Sequence, residues 1–215
     1  MGWLRETLKS SIGKKSVMAV TGLALGLFLA AHLVGNLRIL HGRAALTAHA
    51  LRLHNLGGLL HLAELALLFL FVLHLGFGLW LFLDNCQAKP TRYAGASNNR
   101  RLLLGAAAMP YTGLLLLLFL AYHLARFRFG TPTPAGDLVA STLAQPATGI
   151  FYLIALLALA LHLRHGLWSL CQSLGVSHPK YDILLEKGAS ATGILIGALF
   201  LIIPLLALCW PDFLS

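Results

Sequence analysis

MAVTGLALGLFLAAHL (residues 18–33) and MPYTGLLLLLFLAYHL (residues 109–124) are one segment written twice: eleven of sixteen positions are identical, and each copy ends on a histidine and a leucine, at His32 and His123. Downstream of each lies a second matched pair, LHLGFGLW (73–80) and LHLRHGLW (161–168), identical at six of eight positions and centred on His74 and His162. Leucine-rich segments match one another cheaply, so the weight rests on the shared Met, Thr-Gly, His and Gly-Leu-Trp at fixed spacing. A two-helix unit with one histidine per helix therefore occurs twice. Because the unit contains two spans, both copies enter the membrane from the same side, related by an axis along the membrane normal.

The rest of the chain sets this duplication in a bilayer. Of 215 residues, 58% are hydrophobic and 11% charged, the composition of a polytopic membrane protein. A span needs about 20 mostly apolar residues, and five stretches qualify, at about 16–37, 60–83, 103–125, 148–171 and 190–209. The expected fold is all-α and transmembrane: a four-helix bundle from the duplicated unit plus a peripheral fifth helix. No connecting segment is long enough for a soluble domain, so residues 1–215 read as a single membrane domain. The first stretch follows basic residues as a signal peptide does, but it is too long, lacks a small-residue cleavage site and carries His32, so it reads as a retained span. Pro110 falls near the start of the third span, where a missing donor costs least. Segment 38–58, with His41, His49 and His54, and the Pro-rich stretch 131–136 read as external connections.

Charge sets the orientation. With the N-terminus cytoplasmic, that side receives Arg5, Lys9, Lys14, Lys15, Lys89, Arg92, Arg100, Arg101, Arg164, Lys180 and Lys187, and the other side Arg38, Arg43, Arg52, Arg126 and Arg128. The excess favours N-terminus in and C-terminus out. The formal charge of +9 is thus a topology signal and a docking surface. Nucleic acid is not an expected partner, since the basic residues lie on both faces. Cys86, Cys171 and Cys209 form neither a CxxC nor a CxxCH pattern, which argues against covalent haem attachment and thiolate metal sites.

Ionisable residues inside spans are expensive and usually functional. His74 and His162 each lie about 10 residues before the cytoplasmic end of their helix, roughly 15 Å deep, whereas His32 and His123 lie about 16 and 20 residues beyond the start of theirs, roughly 24–30 Å deep. The four histidines therefore form two layers, each with one residue from each repeat, which is the pattern expected for two haems b with paired imidazole ligands. The expected pairs are His74 with His162 nearer the cytoplasm and His32 with His123 nearer the outside. Two imidazoles leave no open iron position, so such a group transfers electrons and does not activate oxygen. Gly22, Gly26, Gly76, Gly78, Gly113 and Gly166 suit the close approach of a macrocycle or of a second helix. The repeat aligns His162 with His74 and sets His165 opposite Phe77, so His165 is left off the iron, beside the haem or at the cytoplasmic interface. Glu64, near the external end of the second span, reads either as a desolvated proton acceptor beside an external quinol site or as an interfacial carboxylate.

Taken in order, SSIGKK (10–15), MAVTGL (18–23), HLVGNL (32–37), HLGFG (74–78), TGLLLLLFLAYHL (112–124) and HLRHGLWS (162–169) resemble the diheme cytochrome b membrane anchor of succinate dehydrogenases and quinol:fumarate reductases. The resemblance covers almost the whole chain. It implies that His32, His74, His123 and His162 are the axial ligands, that the His74/His162 haem adjoins an iron–sulfur subunit, and that a flavoprotein with covalent FAD completes the complex. It also implies electron exchange between succinate or fumarate and a quinone, usually menaquinone, with the succinate/fumarate active site in the flavoprotein. Glu64 resembles an acidic residue that some members use at a distal quinol site. A glutamate that others carry two residues before the fourth ligand is replaced here by Ala160, which implies electrogenic quinone turnover. Two other functions remain open on the sequence: a diheme anchor of another respiratory enzyme (a formate dehydrogenase, hydrogenase or heterodisulfide-reductase-like complex), and a transporter or channel without haem.

Overall fold

The computed structural model describes residues 2–87, 100–176 and 178–210. Its elements are α1 (Gly2–Lys9), α2 (Ser11–Asn36), a 3-10 turn (Leu37–His41), α3 (Arg43–His54), α4 (Gly58–Gln87), α5 (Arg100–Phe127), α6 (Ala135–Leu143), α7 (Pro146–Ser173) and α8 (Asp182–Cys209). Five of them, α2, α4, α5, α7 and α8, are long and apolar enough to cross a membrane. The chain is thus an all-α, five-helix membrane protein, as its hydropathy leads one to expect. Lys89 and Arg92, two of the charges assigned to the cytoplasmic side, lie outside the described residues.

Several helices outrun their expected spans: α2 begins at Ser11 rather than near 16, and α4 continues to Gln87 rather than 83. The last helix begins at Asp182 rather than near 190, because Glu186 and Lys187 limit how deep a turn can sit in lipid but not whether it is helical. Likewise α5 begins at Arg100, so Pro110 lies inside the helix and not in its first turn. One backbone carbonyl there loses its partner, a defect that membrane helices tolerate where neighbouring groups re-satisfy it.

The N-terminal corner explains the SSIGKK segment. Ser10, with extended backbone, caps α2 by accepting a hydrogen bond from the Gly13 amide at 3.0 Å, satisfying one of the orphan donors of the first turn. Gly13 is required because a Cβ there would collide with the Thr7 carbonyl of α1. At the next residue, the Lys14 ammonium lies 2.5 Å from Asp84 of α4 and 4.1 Å from the Trp80 ring centre. This contact ties the start of α2 to the end of α4.

α2, α4, α5 and α7 form a ring in that order. α2 packs on α4 and on α7, and α5 packs on α7, whereas α4 and α5 touch only slightly. The diagonals α2/α5 and α4/α7 make at most marginal contact among the described residues, so the ring encloses space between them. α8 stands outside the ring, as expected of the fifth span, but it is closely packed. A Cβ at Gly193 would meet the Arg164 backbone at 2.6 Å, and one at Gly197 would meet Ala160 Cβ at 2.5 Å. This small-residue contact is how membrane helices come together without a hydrophobic driving force. Ala160 is small for the same reason, since it lies against Gly197. Phe200 carries the contact on to Leu33 of α2 and Leu156 of α7.

The external connections each contain a helix: α3 lies within segment 38–58, and α6 follows an irregular stretch over 128–134. α3 and α6 cover the end of the bundle away from the N-terminus. There Ile39, Leu46, Ala140, Leu143, Tyr152, Ile203 and Ala207 form one buried cluster. The Gly136 amide donates to Thr47 Oγ1 at 3.0 Å, Arg43 pairs with Asp137 at 3.4 Å, and Arg126 Nε donates to Thr142 Oγ1 at 3.1 Å. A Cβ at Gly136 would strike the Arg43 backbone, and one at Gly35 would meet His49 Nε2 at 2.8 Å. His49 therefore packs against the end of α2.

Candidate cofactor sites

Each diagonal of the ring carries one pair of facing histidines. His74 of α4 and His162 of α7 have ring centres 6.4 Å apart, and His32 of α2 and His123 of α5 have ring centres 6.0 Å apart. Those partners are the ones that depth counting pairs, and the two pairs lie in different layers. A metal-bound imidazole nitrogen sits about 2 Å from the ion. Its own ring centre lies roughly 1 Å further back, so two rings facing one ion have centres about 6 Å apart. Both pairs fit that spacing.

The pair nearer the N-terminal face is held by the Thr-Gly element of the repeat. Thr21 Oγ1 lies 3.1 Å from His74 Nδ1, and Thr112 Oγ1 lies 3.1 Å from His162 Nδ1. Each hydroxyl has a single proton and donates it along its own helix, Thr21 to the Val17 carbonyl at 2.7 Å and Thr112 to the Ala108 and Met109 carbonyls at 3.1 Å. Towards the ring the oxygen is therefore the acceptor, and Nδ1 carries the hydrogen. That tautomer leaves the lone pair on Nε2, the nitrogen free to bind a metal. The adjoining glycines admit the rings: a Cβ at Gly22 would lie 3.2 Å from His74 Cε1, and one at Gly113 would lie 3.7 Å from His162 Cε1. Gly26, Gly76 and Gly166 face open space, while Gly78 receives the Met18 side chain. Both threonines were visible as shared repeat positions, but the histidine partner of each became legible only once the helices were in place.

The second pair has different surroundings. His123 Nδ1 lies 3.1 Å from the Tyr152 hydroxyl, and its ring is flanked by Phe119 and Phe127 with centres at 5.6 and 4.9 Å. His32 stacks on Phe28 at 5.5 Å and faces Phe200 of α8 at 6.2 Å. The fifth span thus borders this site, a role that its lack of histidine concealed.

His165 stands apart from both pairs. It points at α5, where a Cβ on Gly105 would meet its Nδ1 at 2.8 Å, and it lines a cavity of about 430 Å³ between α5, α7 and α8. Glu64 lies in an ion pair at the edge of the bundle. Its side chain is 36% exposed and takes two bonds from Arg128, at 2.8 and 3.0 Å, with His61 at 3.4 Å. The geometry is the bidentate fork of a charge-assisted pair, and it spans the thin seam between α4 and α5. Cys86 and Cys209 are exposed and Cys171 is half-buried, with no disulfide among the described residues.

No family model, curated protein or solved structure matches the chain.

Proposed function

We propose that this chain is the membrane anchor and diheme cytochrome b subunit of a succinate:quinone oxidoreductase. It would pass electrons between a membrane quinone, menaquinone in the first instance, and an iron–sulfur subunit. His74 and His162 would hold one haem b and His32 and His123 the other. A flavoprotein partner would carry FAD and the succinate/fumarate active site. The N-terminus would lie in the cytoplasm of a bacterial cell and the C-terminus outside.

The observation that carries this reading is the pair of imidazole gaps, 6.4 and 6.0 Å, each spanning a diagonal that the helices leave open. The two imidazoles of each pair would hold the haem iron between them, and the haem would supply one-electron transfer. What the chain's own residues contribute is orientation and exclusion. Thr21 and Thr112 accept the Nδ1 hydrogen and so leave the Nε2 lone pair free for a metal. Tyr152, as an acceptor of the His123 Nδ1 hydrogen, would do the same for the outer pair. The aromatic shell of Phe28, Phe119, Phe127 and Phe200 keeps water from that pair, which bears on potential through the local dielectric.

The test is a reduced-minus-oxidised spectrum of the purified chain with haem quantified per protein. Two haems b are expected. His162→Ala should lose one haem and His165→Ala should keep both, and the absence of any b-type band would sink the proposal. Co-purifying subunits then identify the enzyme: a flavoprotein with an iron–sulfur protein supports it, and a formate dehydrogenase or hydrogenase subunit redirects it to another respiratory complex.

A further inference from the structure

Two charged side chains near the N-terminal end of the bundle have no counter-ion among the described residues. Arg164 of α7 and Glu186 of α8 line the same cavity of about 430 Å³ between α5, α7 and α8, and among the described residues neither makes an ion pair, with the other or elsewhere. The one hydrogen bond of Arg164 there runs from Nε to Ser190 Oγ at 3.3 Å, which leaves both terminal amino groups of the guanidinium open. Both residues belong to helices long and apolar enough to cross a membrane, where an ionised group without a partner is expensive. α5 and α8 make at most marginal contact, so the cavity opens sideways to lipid. The repeat register carries Lys14 to Gly105 and Trp80 to Trp168. The second unit thus keeps the tryptophan and lacks the lysine that lies over its counterpart in the first.

The lining is ordered by depth. α7 ends and α8 begins on the N-terminal face, with Ser173 and Asp182 as their last and first residues. At a rise of about 1.5 Å per residue, Glu186 lies about 6 Å in from that end, Ser190 about 12 Å and Arg164 about 14 Å. Ala108 and Met109 of α5 and Leu161 of α7 supply the apolar wall at the level of Arg164 and deeper. From the aqueous end inwards, the cavity therefore offers a carboxylate, then a guanidinium, then hydrocarbon.

We infer that this cavity binds one phosphatidylethanolamine from the leaflet on the N-terminal face, its phosphate on Arg164, its ammonium on Glu186 and an acyl chain against Met109 and Leu161. A phospholipid of that leaflet presents the complementary order from water inwards: amine, phosphate, chains. The two-carbon link of the headgroup separates its charges by about one helical turn, a step of the same order as that between Glu186 and Arg164. The open guanidinium amino groups match phosphate oxygens as a fork. A primary ammonium donates hydrogens to the carboxylate. A choline headgroup has none to donate, and a glycerol headgroup brings no positive charge to offset Glu186. Each side chain thus gains an opposite charge in a place where water is scarce. The inference needs only a bilayer and is independent of the redox function proposed above.

The test is photocrosslinking of the purified, full-length chain in phosphatidylcholine vesicles. Each preparation carries a trace of diazirine-bearing phosphatidylethanolamine, phosphatidylcholine or phosphatidylglycerol with identical acyl chains, and labelled sites are read by peptide mapping. Phosphatidylethanolamine should label residues 105–112, 161–168 or 186–190 about tenfold more than either other lipid, equivalent to about 1.4 kcal/mol of binding. Glu186→Gln, which keeps the size of the side chain, should erase its preference over phosphatidylcholine. Ala108→Phe, which fills the cavity from a different helix, should cut its labelling about tenfold. Equal labelling by the three lipids, or a preference for phosphatidylglycerol, overturns the inference. So does a preference that survives Glu186→Gln, or labelling undiminished in Ala108→Phe. Loss of a haem from Arg164→Gln with phosphatidylethanolamine labelling unchanged also overturns it, since the arginine would then serve the macrocycle. The labelling pattern reads the same in a chain with no b-type band, so failure of the redox function leaves this test intact.

Discussion

The unit built from α2 and α4 and the unit built from α5 and α7 share one device and differ at both ends. Shared is the Thr-Gly pair, which lets an imidazole approach and takes its Nδ1 hydrogen, at Thr21 for His74 and at Thr112 for His162. At the N-terminal end, Lys14 closes in the first unit what Gly105 opens in the second. At the other end, the register sets Glu64 opposite Tyr152: the tyrosine supports His123, while the glutamate turns to Arg128. Duplication has therefore kept what orients the inner imidazole and released what surrounds it. Divergence of the flanks is where two equivalent halves acquire different tasks.

The largest effect should come from breaking the pairing. His74→Ala and His162→Ala should each remove the same spectral component, and His32→Ala and His123→Ala the other. If variants within one pair removed different components, the diagonal pairing would be wrong. Next come the shared threonines. Thr21→Val and Thr112→Val keep shape but remove the acceptor, and each should weaken retention of the inner haem about 10–100-fold, while the corresponding Ser variants restore it. Haem content after dialysis against an apo-globin acceptor measures this, and equal loss of both haems would mean a folding effect.

Lys14→Ala should lower stability by about 1–3 kcal/mol, between the small value of an exposed pair and the larger one of a buried pair, because Asp84 is 42% exposed. Thermal melting of the helical signal would show it. Tyr152→Phe should alter only the outer haem, by about 1 kcal/mol of lost hydrogen bonding, seen as a shift in one of two midpoint potentials. Glu64→Gln should be the mildest for stability, at most about 1 kcal/mol, with both haems kept. A haem lost there would assign Glu64 to the outer site.

Hydropathy and the repeat made the five spans, the two histidine layers and their partners readable, because spacing along a helix converts directly into depth. What they could not convey was lateral. The choice of which face of α8 lies against α7 depends on Gly193 and Gly197 meeting Arg164 and Ala160, a fit that belongs to two helices at once. The segment 38–58 looked like a connection because its polar residues mask its helical period; α3 takes its stability from Leu46 packing into the end of the bundle and from Thr47 capping the Gly136 amide. Glu64 shows the same limit: its sequence neighbours left a desolvated and an interfacial position open, and its partner Arg128, 64 residues away, comes to it only across the seam.

That seam also bears on how α4 is held. Among the described residues α4 buries none of its own, and lipid tails offer leucine side chains much the same surroundings as another helix. α4 is therefore moored by its flank on α2 and by two charged clasps, Lys14 with Asp84 at one end and Arg128 with Glu64 at the other, the second being the bond that ties it to the α5 side. The haem proposed above would add a third fastening, joining α4 to α7 through His74 and His162 like mortar between two courses of a wall.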